Sequence, residues 1–532
     1  MIHTPQQRRT RFSARSRCAL TALALLTACA LTTAPDLHAD PPTQQVVHPL
    51  HATTGNNARI ADDRGRTVIL HGANVNGLGQ YYQEWPDLPS TETLTENDFA
   101  RLATLGANVV RLIISWSALE PTRGVIDQAY LDRIGQAVSW ARAHDIYVLL
   151  DMHQDAWGVA VNTPDGVWCP PLTQASVGWD GAPAWATAFV GTSATCRISM
   201  RELSVSVQSS FQNFYLDVNG VRTELVKTWA AVAARFAADP TVIGYDLLNE
   251  PNPGLLPGID DYTLLGEYYR HAITAIRSAE SAAPQGFRHI VFFEPSVITG
   301  PLPAPGPLPL VLGTGSAGSS SGSSGSGTGS AGGDDMVYAP HEYNESISIL
   351  PGSLTDGFNA TATAARGYGT TFFNGEWGFW DSNPAVVADK ASRYAQLEDA
   401  NLVGSTYWQW RQACGDPHGV QTRHTRPSCS GPQPDVADNP VMRPVLSRSY
   451  PRAVPGQLTA IHSDIPSGAL TVTGKADRAG ESADLWVPDR CANPRAAGTN
   501  TAGSVVSAVT GGNRITVATA AAGDYSIQIT CG

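Results

Sequence analysis

The amino-acid sequence predicts an α/β fold, a (β/α)8 TIM barrel followed by a small C-terminal antiparallel β-sandwich. Three observations carry this expectation. Eight short, nearly continuous runs of β-forming apolar residues alternate with helix-patterned stretches, the pattern of a parallel sheet buried on both faces. Several runs stop on a polar or charged side chain, and the C-terminal ends of strands are where a barrel keeps its site. From Pro451 onward the texture changes to short alternating segments separated by turn residues, as in an antiparallel sandwich. A doubly wound open sheet is the rival, but it normally carries a Gly-rich phosphate turn after its first strand, and none is present.

The elements follow in order. The first strand is expected over Arg66–Asn74. A helix over Thr95–Leu105 keeps Phe99, Leu102 and Leu105 at helical spacing and stops at Gly106. Asn108–Trp116 is the second strand, Asp127–His144 a helix, and Asp145–His153 the third strand. A helix over Val221–Ala238 leads into the fourth strand, which starts at Val242 and ends on Asn249, Glu250 and Pro251. The helix Tyr262–Ala283, the fifth strand His289–Glu294, the sixth Met336–Tyr343 and the seventh Thr370–Glu376 come next. The helix Pro384–Asn401 and the eighth strand Gly404–Trp410 complete a barrel region spanning 46–447, with the sandwich over 451–532. Two insertions, 157–216 and 301–335, both follow strand C-termini and so flank the expected site. Within the second, Gly313–Gly333 is almost pure Gly, Ser, Ala and Thr and is expected to be disordered. The preceding Pro301–Leu312 run is apolar, which suits contact with a lipid or membrane surface.

A chain of 532 residues fits one large domain and a small one. Its net charge of -12, with no basic cluster beyond the N-terminus, argues against a nucleic-acid partner. Residues 1–39 read as an export signal, with Arg8 to Arg17 as a basic n-region and Ala19 to Leu31 as an apolar core too short to span a bilayer. Cleavage after Ala39 predicts secretion. The alternative ending is a lipobox at Leu26–Cys29, which would lipidate Cys29. Six further cysteines form three sequence-local pairs, Cys169 with Cys196, Cys414 with Cys429, and Cys491 with Cys531. That suits loop-stapling disulfides in an exported protein, although six cysteines allow fifteen connectivities. A metal site is disfavoured because no Cys-x-x-Cys pattern appears.

A carboxylate held at the end of a buried strand costs stability unless it is used. Glu250 and Glu376 are two such residues, and a pair of carboxyl groups suits hydrolysis of a glycosidic bond. The strand ends also supply Arg111, His153, Asp155, Asn249, His341, Tyr343 and Trp408. In their order and placement these residues resemble glycoside hydrolase family 5, of clan A, over roughly Thr67–Trp410. The resemblance implies a retaining mechanism with Glu250 as acid/base and Glu376 as nucleophile. It also implies that Arg111 and Tyr343 orient Glu376, and that His341 bonds near the acid/base. Asn249 and His153 then contact sugar hydroxyls, with Trp408 as an apolar platform, while Asp155 is either a further hydroxyl acceptor or a loop-capping residue. Trp380 and Trp410 are candidate subsite walls. Glu294, which also ends a strand, is read as structural because no family motif covers it. No metal and no cofactor are expected, since the site supplies its own acid and nucleophile.

Within the family the chain is most similar to the bacterial endoglycoceramidases. Asp151–Asp155, Asp180–Trp185, Ala234–Pro251 and Arg448–Gly456 carry that likeness. It implies cleavage between an oligosaccharide and ceramide in glycosphingolipids. A family 5 β-glucosidase or endo-β-glucanase acting on glucans, steryl or other glucosides is the alternative. A binding protein without catalysis is disfavoured by the presence of both glutamates. Such enzymes often carry a lysine just beyond the first strand, whereas Asn74 to Gln80 holds none. A monomer is expected.

Overall fold

Apolar side chains on both faces of the strand runs draw them into the interior of a closed parallel barrel. The computed structural model describes residues 47–80, 91–297, 335–347, 352–411, 419–422 and 437–532. The expected export signal with Cys29, the Pro301–Leu312 run, Gly313–Gly333 and the cysteines Cys414 and Cys429 lie outside the described residues.

Three short strands come first: β1 (Leu50–Ala52), β2 (Ile60–Asp62) and β3 (Thr67–Val68). The barrel follows with β4 (His71–Val75), β5 (Val109–Ser115), β6 (Tyr147–His153), β7 (Val242–Asp246), β8 (Ile290–Phe293) and β9 (Met336–Tyr338). These six pair in parallel, each with the next. Then come β10 (His341–Glu342), β11 (Glu376–Trp377) and β12 (Ser405–Tyr407). Segment 372–377 bridges Tyr338 through Phe372 and Ser405 through Asn374, and β12 pairs with β4. The ring therefore closes with eight staves. Helices α1 (Glu96–Ala103), α2 (Trp116–Leu119), α3 (Gln128–Ala143), α4 (Val205–Tyr215), α5 (Val221–Phe236), α6 (Leu265–Ala282), α7 (Leu354–Tyr368) and α8 (Pro384–Asn401) connect the strands.

The strand faces divide cleanly. Val110, Leu112 and Ile114 of β5 join Val148 and Leu150 of β6 in the layer shared with the helices. Val109, Leu149, Ile290, Phe292 and Phe373 fill the barrel floor. Above that floor the same inward rows turn polar: Arg111 follows Val109, Asp151 and His153 follow Leu149, and Glu294 follows Phe292. Period-two alternation thus builds an apolar floor beneath a charged layer.

After β13 (Gln421–Thr422) and β14 (Ala437–Asp438) come β15 (Tyr450–Val454), β16 (Gln457–Ser463), β17 (Leu470–Ala476) and β18 (Ser482–Pro488). The last four strands are β19 (Arg495–Thr499), β20 (Thr501–Val509), β21 (Gly512–Thr519) and β22 (Gly523–Thr530). They form two antiparallel sheets, β1-β2-β3-β15-β18-β21-β20 and β16-β17-β22-β19. The first sheet corrects the sequence reading. The run Arg66–Asn74 is two strands, because Val68 and Thr67 pair with Ala453 and Val454, and only His71–Val75 joins the barrel. Between them Ile69 enters the sandwich core and Leu70 the barrel floor. The first three strands therefore belong to the sheet that the C-terminal segment completes, not to the barrel. Among the described residues two disulfides are formed, Cys169–Cys196 in the first insertion and Cys491–Cys531 in the sandwich.

The sandwich packs at the N-terminal ends of the strands. Trp486 lies against Gly106 just before β5, and Arg452 donates to the carbonyl and carboxylate of Asp145 just before β6, both at 2.9 Å. The opposite face, where loops are long, is left for chemistry.

Candidate active site

Arg111, buried without exposure on β5, is the hub. Its Nε donates to Asp246 at 2.9 Å, and Nη1 donates to Asn74 at 3.0 Å and to Glu376 at 2.9 Å. Nη2 donates to Asn249 and Glu294 at 2.9 Å and pairs with Asp151 at 3.0 Å. Burial opposes its charge, but Asp151, Asp246, Glu294 and Glu376 together outweigh that and hold it protonated well above its ordinary value. The acidic group formed by Asp151, Asp246 and Glu294 thus already encloses a cation, the guanidinium.

Glu376 is fixed at both oxygens. Oε1 accepts from Arg111, and Oε2 accepts from the Tyr343 hydroxyl at 2.9 Å. Gly375 lets the strand approach this closely, since a Cβ there would sit 3.1 Å from His341. The Gly375 carbonyl accepts from Asn74 at 2.9 Å.

Glu250 lies beyond the end of β7 at a backbone φ of +41°, uncommon for a residue with a side chain. Three contacts hold this turn. Glu294 accepts the Glu250 N–H at 2.8 Å, and Gln154 donates to the carbonyls of Asn249 and Glu250 at 2.7 and 2.9 Å. The result aims the Glu250 carboxylate at Glu376, with one oxygen of each within 4.8 Å of the other.

His341 links the pair. Its Nδ1 lies 2.8 Å from Glu250 and 3.4 Å from Glu376, and its Nε2 lies 3.2 Å from Glu294. Burial favours the neutral ring, but the surrounding carboxylates overcome it and raise its pKa well above the usual range. His153 pairs with Asp151 at 2.7 Å, and that carboxylate raises its pKa against the effect of burial. Its ring stacks on Trp408 with centroids 5.5 Å apart, and its Nε2 lies 3.5 Å from the Asn249 amide.

The two glutamates titrate as a pair. Burial, with repulsion from Glu250, pushes Glu376 up to about 7 against the pull of His341 and Arg111. Glu250 is held low despite its burial by the His341 hydrogen bond and charge. One proton is therefore retained by the site up to about neutral pH. Both oxygens of Glu376 are engaged by donors, and the Glu250 side chain is 27 % exposed against 6 % for Glu376.

Asp155 sits at the rim, bonded to Arg201 from the first insertion. Burial raises its pKa to about 6, partly offset by Arg201 and His153, while Glu250 adds to the rise. Arg201 also lies 3.7 Å over the Trp179 ring and pairs with Glu202 at 2.7 Å. Trp380 is exposed at the rim, 5.3 Å from the Tyr343 ring.

The structure thus gathers all nine of the candidate residues at one end of the barrel. Two sequence readings change. Glu294 is not merely structural, because it bridges Arg111, His341 and the Glu250 backbone. Its signal was visible as a carboxylate after the apolar run Ile290–Phe293. Trp410 is no subsite wall: it is buried, and its indole N–H donates to Asp98 of α1 at 3.1 Å. Asp151, Asp246, Asn74 and Arg201 are further members that the sequence did not mark as such.

An eight-stranded parallel barrel carrying two opposed glutamates, one held by an arginine and a tyrosine, defines a glycoside hydrolase. The chain belongs to glycosyl hydrolase family 5, whose cellulase model matches residues 62–413. Endoglycoceramidase I of Rhodococcus hoagii is 33% identical over 210 residues, 39% of this chain and 38% of that protein. The matched stretch spans less than half the length of this and two further curated relatives. Among solved structures, an endogalactoceramidase is 38% identical with a TM-score of 0.77, over 91% of this chain and all of the other. The endo-glycoceramidase II of Rhodococcus sp., solved as its lactosyl-enzyme intermediate, is 26% identical with a TM-score of 0.66, over 89% of this chain and 99% of the other.

Proposed function

We propose that this chain hydrolyses the bond between a glycan and ceramide in glycosphingolipids, with retention at the anomeric carbon. The observation that carries the mechanism is the approach of one Glu250 oxygen to within 4.8 Å of one Glu376 oxygen. Retaining sites hold their carboxyls about 5–5.5 Å apart, whereas inverting sites need at least about 6.5 Å to admit a water. The similarity to an endogalactoceramidase over 91% of this chain supports the substrate class.

The chemistry follows from the residues. Glu376 attacks the anomeric carbon while Glu250 gives its proton to the departing oxygen, so one C–O bond forms as another breaks. A glycosyl ester on Glu376 results. Glu250, now ionised, takes a proton from water, which attacks the same carbon and releases the sugar. Arg111 and Tyr343 keep the leaving carboxylate aligned between the two steps.

A lipid substrate also suits the rim. Trp168, Leu172, Phe189 and Ile198 of the first insertion are strongly exposed, as are Leu256 and Ile259 in the loop after Glu250. Exposed apolar side chains on segments that follow strand C-termini fit contact with a membrane surface holding the substrate. Export from the cytoplasm is part of the same reading, supported by the signal-like N-terminus and two disulfides.

Incubation with a ganglioside and, separately, with a soluble β-glucan tests the proposal. Release of an intact oligosaccharide from the ganglioside is expected. Activity on the glucan alone would replace it with a β-glucanase.

A further inference from the structure

The sixth stave of the barrel carries a buried carboxylate that the mechanism does not use. β10 pairs with β11 so that His341 lies opposite Glu376 and Glu342 opposite Trp377. Side chains alternate along a strand, and residues paired across two strands share a face. His341 and Tyr343 therefore point into the barrel with Glu376, while Glu342 points with Trp377 into the layer shared with the helices. There Glu342 is 4% exposed, and burial, with Glu345 nearby, pushes its pKa up to about 7. A carboxylate kept in such a place costs stability unless it is used.

Its contacts show what it holds. Glu342 Oε1 accepts the backbone N–H of Asn344 at 2.9 Å. That bond closes a ring of chain around Tyr343, the residue between them. The Tyr343 carbonyl in turn accepts the Ser346 N–H at 3.1 Å, so the backbone is fixed on the far side of the tyrosine as well. The Asn344 side chain donates to the carbonyl of Ser353, the N-cap of α7, at 3.2 Å. α7 buries Leu354, Gly357, Phe358 and Thr361, and Gly357 makes room for the carboxylate. A Cβ there would lie 1.9 Å from Glu342 Oε2 and 2.5 Å from the Asn344 amide nitrogen. Strand, turn and helix meet on this one side chain.

The consequence reaches Glu376. The Tyr343 hydroxyl donates to that carboxylate at 2.9 Å, and a side chain is aimed only as well as its backbone is fixed. We propose that Glu342 is a positioning residue for hydrolysis, which holds the Tyr343 hydroxyl on the Glu376 carboxylate by accepting the Asn344 N–H. Glu342 faces away from the cleft and acts from behind the strand, through the turn. The assignment rests on the hydrolytic reading of the site and adds a residue to it.

A double-mutant cycle with Tyr343→Phe tests the proposal, with kinetics on whichever β-glycoside the wild type cleaves. Glu342→Ala should lower kcat about 10-fold with KM unchanged, short of the roughly 10²-fold that a 1 Å misplacement can cost. In the Tyr343→Phe background the same change should have no further effect, because the hydroxyl it aims is gone. Glu342→Gln, whose amide oxygen can still accept the Asn344 N–H, should restore kcat to within about twofold of the wild type. If Glu342→Ala does not fold, Gly357→Ala takes its place in the cycle, since the added Cβ displaces the carboxylate. An unchanged kcat, equal losses in both backgrounds, a change confined to KM, or a glutamine variant as slow as the alanine one would each overturn the proposal. A wild type inactive on every β-glycoside strikes the hydrolytic reading instead. The crystal structure of the alanine variant then decides: a Tyr343 hydroxyl still bonded to Glu376 overturns the proposal, and one turned away supports it.

Discussion

Glu294 accepts the backbone N–H of Glu250 at 2.8 Å, and through this bond a residue with no motif of its own sets the aim of the Glu250 carboxylate. Its other oxygen holds Arg111 at 2.9 Å. The strained turn and the guanidinium hub are thereby joined through one side chain. Glu294→Gln keeps the shape but presents an N–H to a donor. We expect kcat to fall about 10²-fold from misalignment, with a loss of about 1–3 kcal/mol in stability. Steady-state kinetics alongside thermal melting would check both.

The pH profile of kcat/KM should be bell-shaped. The site needs one proton on the pair, and that proton leaves at about 7, so activity falls as pH rises through that value. On the acid side activity falls when Glu250, held low by His341, also takes a proton. A profile still rising above pH 8 would contradict this assignment.

Replacing Glu250 by Gln removes the negative charge that helps raise Glu376. The Glu376 pKa should then drop below about 7. With a substrate whose leaving group needs no protonation, the first step should persist in this variant. Its rate should rise through one lower pKa and show no alkaline limb. Stopped-flow release of a dinitrophenolate would measure it. Glu376→Gln should instead lower turnover of every substrate by orders of magnitude.

Arg201 offsets the effect of burial on Asp155. Arg201→Ala should raise the Asp155 pKa above about 6, leaving it protonated near neutrality and unable to accept from a sugar hydroxyl. KM should rise more than kcat falls, and the defect should shrink at higher pH as Asp155 ionises. A defect independent of pH would show that Arg201 acts otherwise.

The Cys169–Cys196 bond closes a loop with a sequence separation of 27 residues in the same insertion that supplies Arg201. Loop entropy assigns such a bond about 3.5 kcal/mol. Replacing both cysteines by Ser should therefore expose the insertion to limited proteolysis before the barrel. The KM change should resemble that of Arg201→Ala.

The barrel and its two glutamates were legible because a strand buried on both faces reads as an apolar run, and a carboxylate at its end breaks that run abruptly. Asp151 and Asp246 were harder. They lie within the runs, where one inward polar residue looks like a fluctuation until the inward row is known. Glu294 had the same outward signature as Glu250 but lacked flanking residues to set it apart. Arg201 lies in irregular chain with no period to place it. Trp410 looked like a sugar platform at a strand end. Its partner Asp98, far away in the sequence, is what buries it.

The pairing of β3 with β15 had no local signal at all, and it changes how this molecule must come into being. Thr67 donates to the Gly456 carbonyl across 389 residues of chain. β1–β3 therefore leave the ribosome long before β15 and wait for it without their sheet. The sandwich is consequently not a module that can be trimmed away. It acts as a clasp, fastening the start of the chain to its end beneath the barrel. A chain halted before β15 would keep β1–β3 as loose, sticky ribbon.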